Sequence, residues 1–228
     1  MAIDKELQEM DLISQNKAIR MPLIFLVDCS FSMKIQDGKN KQARYEELFN
    51  TLHSFLGHFA SDIFTRDSME VTIITFSETV EVLCNFVSVN EALNKFKEIK
   101  VGGLQTNLGK AVEVGLKLLD YRLELYKNTG TRNYKPNLII LTDGVATDTD
   151  QTEKMAQEVQ KRLHKNSSKE GIATYCLGIG ECDTEQLSKF TINDINKDSL
   201  DIYSFIDNLS RSVSALSKES MESGEDAF

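Results

Sequence analysis

"IFLVDCSFSMK", Ile24 to Lys34, is the stretch that decides the fold. Four apolar residues run straight into Asp28, and serines follow at 30 and 32. A short run that is apolar at every position predicts a strand buried on both faces, the kind found in parallel sheets. In an extended segment, side chains at i, i+2 and i+4 point the same way. The spacing therefore predicts that Asp28, Ser30 and Ser32 aim three oxygens at one point beyond the end of that strand.

Outward from this run the chain alternates. Tyr45, Leu48, Phe49, Leu52, Phe55, Leu56 and Phe59 recur at helical spacing. "MEVTIITFS" (69–77) reads as a strand, and "VEVLCNF" (80–86) follows so closely that a hairpin with an antiparallel edge strand is expected. A short helix over "NEALNKFKEI", a long one over "TNLGKAVEVGLKLLDYRLELYK", the buried strand "NLIILT", a helix from about Asp150 to Lys165 and the strand-like "GIATYCLGIG" come next. Ile202, Phe205, Ile206, Leu209, Val213 and Leu216 suggest a last helix. Alternating strands and helices predict an α/β fold: a doubly wound, mostly parallel central sheet with one antiparallel edge strand and helices on both faces. The expected organisation is an N-terminal extension over 1–20, one domain over 21–217 and an acidic flexible tail over 218–228.

Composition narrows the function classes. The chain has 228 residues, 41% of them hydrophobic, enough for one sizeable core. A net charge of -9 argues against nucleic acid, which needs clustered Lys and Arg. No stretch approaches the roughly 18 apolar residues of a membrane span, and the first residues do not read as a signal peptide. Cys29, Cys84, Cys176 and Cys182 form no C-x-x-C pair, and a cytoplasmic location is the simplest expectation.

Open parallel sheets bind ligands at the carboxyl ends of their strands. Asp28, Ser30 and Ser32 follow the first strand, Asp143 follows "NLIILT", and Thr106 stands at the mouth of the long helix. Five oxygens without sulfur or imidazole suit a hard cation, and the octahedral habit of Mg2+ leaves room for one more ligand. Mn2+ and Ca2+ meet the same donor requirement. Taken singly, these residues have plain structural readings as turn formers and helix caps; the five together favour a metal site. "GGLQTNLGK" fails as a phosphate loop, because five residues separate Gly103 from Gly109 and Ala111 stands where Ser or Thr is needed.

"DCSFS" with Thr106 and "TDG" resembles the metal-ion-dependent adhesion site of von Willebrand factor type A domains: D-x-S-x-S, a separate Thr and a separate Asp. The likeness covers about Met21 to Ser217 and implies a Rossmann-like fold. It implies that Asp28, Ser30, Ser32, Thr106 and Asp143 hold Mg2+, and that the chain is a non-enzymatic adaptor taking an Asp or Glu from a protein partner. "GGLQTNLGKAVEVGL" and "LIILTDGVATD" further resemble the TerY-like proteins of bacterial tellurite-resistance and stress operons, which implies an operon-encoded kinase or phosphatase as partner. Phe31 departs from the glycine common between the two serines, and its ring is expected near the rim of the site. The competing class is a Mg2+-dependent phosphohydrolase; such enzymes use a second carboxylate two residues after the first, where this chain has Ser30.

Overall fold

The computed structural model describes residues 19–37, 42–165, 171–180 and 182–192. Among these, five strands form one sheet: β1 (Met21–Asp28), β2 (Met69–Phe76), β3 (Val80–Ser88), β4 (Asn137–Thr142) and β5 (Ala173–Gly178). The helices are α1 (Arg44–Ser61), α2 (Ile63–Ser68), α3 (Val89–Lys95), α4 (Leu108–Thr129), α5 (Thr149–Leu163) and α6 (Thr184–Ser188), and a 3₁₀ turn spans Phe31–Lys34. The expected helix over 202–216, the N-terminal extension and the acidic tail lie outside the described residues.

The sheet order is β3-β2-β1-β4-β5. All pairings are parallel except β2 with β3, which makes β3 the expected antiparallel edge. β1 lies at the centre, with Phe25 registered against Ile73 on one side and Ile139 on the other. Its apolar run has the reason anticipated: every residue from Met21 to Asp28 is buried. The faces divide by parity. Leu23, Phe25, Val27 and Cys29 join one core with Leu52, Phe55, Leu56 and Phe59 of α1; Ile24 and Leu26 join the other with Ala111, Val112 and Leu116 of α4 and Val159 of α5. Asp28 shares the parity of Ile24 and Leu26, so it ends β1 on the face where α4 begins.

Gly109 sets how closely α4 and α5 approach. A Cβ there would lie 2.3 Å from the backbone N of Thr152, so only glycine permits the contact. Across this contact Asp148 accepts hydrogen bonds from Gly109 N–H (3.2 Å) and Lys110 N–H (2.9 Å). Two free donors of the first turn of α4 are thus satisfied from another loop, while the side chain of the N-cap residue Asn107 makes no capping hydrogen bond. At the far end of the sheet, buried Arg122 donates to Glu70 (2.8 Å), and Tyr126 bonds the same carboxylate, fastening α4 to β2.

Two elements escaped the sequence pattern, α2 and α6. At six and five residues, each is too short to show a helical repeat. The 3₁₀ turn is a correction of substance: Ser30 is still extended (φ -65, ψ 166), but the chain coils from Phe31 onward. Strict alternation therefore stops at Ser30, and Ser32 reaches the site by a turn. The chain must leave the sheet here, and Phe31 N–H is taken by the carbonyl of Gly103 (2.9 Å).

Candidate metal centre

β1 pairs with β2 on one side and with β4 on the other, so the strand order reverses there. The loops leaving β1 and β4 consequently diverge and open a crevice at their carboxyl ends. Backbone bonds bring in the third segment: Gly102 N–H donates to the Cys29 carbonyl (2.9 Å), and Thr147 N–H donates to the Thr106 carbonyl (2.9 Å). Thr106 N–H in turn donates to Thr147 Oγ1 (2.9 Å). The loop before α4 is therefore laced to the loops after both strands.

All five candidate residues meet in this crevice. Asp28 Oδ1 accepts from Ser30 N–H at 2.8 Å. The hydroxyls of Ser30 and Ser32 are 3.0 Å apart, and Ser32 Oγ donates to Asp143 Oδ1 at 2.8 Å. Gly144 ties Thr106 to the same point: a Cβ built there would lie 3.7 Å from Thr106 Oγ1, 3.9 Å from Ser32 Oγ and 4.0 Å from Asp28 Oδ2. Oxygens from three segments thus surround one small space.

The electrostatics are those of two carboxylates denied water. Asp28 is fully buried and Asp143 nearly so. Burial pushes the Asp28 carboxyl up to about 6; hydrogen bonds from Thr142 and Ser30 oppose the shift, and the charge of Asp143 adds to it. Cys29 points away from the crevice into the α1 core, as alternation predicts, and burial beside Asp28 pushes its thiol up to about 12. Among the described residues, no three His, Cys, Asp or Glu side chains cluster. Hydroxyls supply most of the donors, and a set of two carboxylates and three hydroxyls fits a hard divalent cation and no soft one.

Sequence reasoning missed two residues here. Thr142 Oγ1 donates to Asp28 Oδ2 across 114 positions of sequence. Its one signal was its place at the end of the strand that Asp143 leaves. Arg44 Nη1 donates to Asp143 Oδ2 at 2.8 Å, and Arg44 also grips Asp37. A cation at the first position of a helix opposes the macrodipole, and that oddity could have marked it. Around the crevice three large apolar side chains face solvent: Phe31, Leu104 and Val145. Phe31, between Ser30 and Ser32 in the chain, is 57% exposed.

The sequence matches the family model of the von Willebrand factor type A domain over residues 23–218. This chain belongs to the von Willebrand factor type A domain family. Family members typically serve as metal-dependent adhesion and protein-interaction modules. Solved structures similar to this type A domain include the pilus adhesin SpaC from Lactobacillus rhamnosus GG (TM-score 0.62, 13% identity, 87% of this chain and 31% of that one). Manganese-loaded TRAP protein from Plasmodium vivax is another (0.54, 19%, 76% and 62%). A third is proximal thread matrix protein 1 from the mussel byssus with a zinc-occupied adhesion-site motif (0.56, 18%, 90% and 46%). At these identities the likeness is one of fold, and this chain covers less than two thirds of each of these structures. No curated protein matches the sequence. Among the described residues no helix is long and apolar enough to cross a membrane.

Proposed function

We propose that this domain is a non-enzymatic adaptor that holds a divalent cation through Asp28, Ser30, Ser32, Thr106 and Asp143 and so captures an Asp or Glu of a protein partner. The observation that carries this reading is the meeting of five oxygens from three loops around the space left by Gly144. When bound, the cation supplies the positive charge that a partner carboxylate seeks. The chain would supply the rest: Asp28 and Asp143 would hold the ion, and the hydroxyls of Ser30, Ser32 and Thr106 would complete its donors without adding charge, which leaves positive charge for an anion. A chain of net charge -9 does not draw an acidic partner by its own field. Mg2+ is the first choice, and the manganese- and zinc-loaded relatives favour a divalent ion in general. Exposed Phe31, Leu104 and Val145 offer apolar contact to residues flanking the partner's carboxylate. The "GGLQTNLGKAVEVGL" likeness to TerY-like proteins favours a cytoplasmic stress or tellurite-resistance system, with an operon-encoded kinase or phosphatase as partner.

The test is a pull-down from native lysate in Mg2+ or in chelator, with the parent and Asp28→Ala. The expected result is a partner retained by the parent in Mg2+, lost in chelator and lost with Asp28→Ala. High salt should release it less than chelation does. Phe31→Gly should weaken retention without abolishing it. A partner that binds equally well in chelator overturns the reading.

A further inference from the structure

We propose that Arg44 is a resident counter-cation of this centre, fixed against Asp143 so that it weakens the hold on a divalent ion and leaves that ion short of negative charge. The inference rests on the metal reading above and assigns a role to three residues outside the ligand set: Arg44, Asp37 and Gly180.

Arg44 opens α1, where its charge opposes the helix dipole, and it is buried. Both costs call for carboxylates, and two are in place. Nη1 donates to Asp143 Oδ2 at 2.8 Å, Nε donates to Asp37 Oδ1 at 2.9 Å, and Nη2 bonds the same Asp37 carboxylate. The guanidinium also has a shaped slot. Gly180, at φ +64, lies against it, and a Cβ there would fall 2.5 Å from Cζ. Glycine at 180 thus serves both a left-handed backbone and the seat of the guanidinium. The three planar contacts hold Arg44 in a fork that a flexible ammonium would not reproduce.

The charge count follows from this placement. Asp28 and Asp143 bring two negative charges to the crevice, and Arg44, which Asp143 shares with Asp37, cancels part of the Asp143 charge on the side away from Ser32. In the metal-free protein this compensates a carboxylate whose side chain is 0% exposed. A divalent ion entering the crevice meets a carboxylate already half committed to a fixed cation. The ion is therefore held less tightly and keeps more net positive charge for an incoming carboxylate. Asp37, whose side chain is 39% exposed, lies on the solvent side of the clamp and offsets part of the Arg44 charge.

Charge and positioning predict different signs. If Arg44 acts by charge, Arg44→Gln tightens Mg2+ and Mn2+ binding by on the order of tenfold, since a fixed charge near a divalent ion matters even at high dielectric. Asp37→Asn then weakens binding by roughly two- to fivefold, because it removes a negative charge from the same array. If Arg44 only positions Asp143, both variants weaken binding. The experiment is calorimetric titration of each metal into the full chain as parent, Asp28→Ala, Arg44→Gln and Asp37→Asn. Melting curves in chelator accompany the titrations, and Arg44→Gln is expected to melt lower than the parent there. Opposite signs for the two variants support the proposal. Unchanged or weaker binding by Arg44→Gln overturns it, with the metal reading intact as long as the parent binds and Asp28→Ala does not. If Arg44→Gln does not fold, Asp37→Asn titrated in rising salt decides: weaker binding whose deficit shrinks as salt rises supports the proposal, and unchanged or tighter binding, or a deficit that salt does not move, overturns it. A parent that binds neither metal overturns both readings together.

Discussion

Replacing Asp143 with Asn isolates the charge at the point where the ligand set and the arginine meet. Asp143 accepts two hydrogen bonds, from Ser32 Oγ on Oδ1 and from Arg44 Nη1 on Oδ2, each at 2.8 Å. An Asn in the same rotamer keeps one acceptor. Its oxygen must face Arg44, which can only donate, so its amide faces Ser32. That contact survives, because Ser32 can turn its own proton to Ser30 3.0 Å away. What is lost is the charge on the Arg44 bond. Hydrogen bonds to charged groups contribute about 1.5–3 kcal/mol, and Arg44 keeps Asp37, so the loss stays below the roughly 3–5 kcal/mol of a wholly broken buried pair. For a domain of this size about 1 kcal/mol moves the melting temperature by roughly 2–4 °C. Asp143→Asn in chelator should therefore melt roughly 3–12 °C below the parent. In Mg2+ at about a hundred times the dissociation constant, the parent gains about 2.7 kcal/mol, and a variant binding about a hundredfold more weakly gains only about 0.4 kcal/mol. The assay is thermal melting of both proteins across a Mg2+ series with a chelator control. A variant that gains as much from Mg2+ as the parent refutes Asp143 as a ligand. One that melts with the parent in chelator refutes the energetic account of the Arg44 contact.

Gly109→Ala should destabilise by about 1–3 kcal/mol or more, because its Cβ meets the backbone of Thr152 at 2.3 Å and α4 and α5 must part; chemical denaturation measures this, and unchanged stability would refute the close contact. The pH dependence follows from Asp28. Its carboxyl is raised to about 6, so in the metal-free protein its contribution to stability is fully present below the ordinary value of 3.8 and is lost as pH rises through about 6. Metal binding runs the opposite way, since the ion needs the carboxylate: affinity should be intact above about pH 6 and fall by up to about tenfold per pH unit below it. Calorimetry at several pH values across this window checks the sign, and an affinity that is flat down to pH 5 contradicts it.

Much of this molecule was legible in linear pattern, because the physics behind it is local. The unbroken apolar run of β1 follows from burial on both faces of a central strand, and a six-residue run did the same for β4. Helical spacing located α1 and α4 because each buries one stripe against the sheet. Asp28, Ser30, Ser32, Thr106 and Asp143 stood out since each occurs where a strand or loop reaches the ligand-binding rim of a parallel sheet. Strand order, and hence which loops meet, came from the structure, as did the turn that carries Ser32 and the capping of α4 by Asp148. So did the two residues that set the electrostatics. Thr142 meets Asp28 across 114 positions and Arg44 meets Asp143 across 99. Periodicity is a property of neighbours along the chain, whereas a hydrogen bond between distant residues exists only after the sheet has closed. The sequence by itself therefore announced the candidate ligands, and only tertiary packing decided which charge sits beside them.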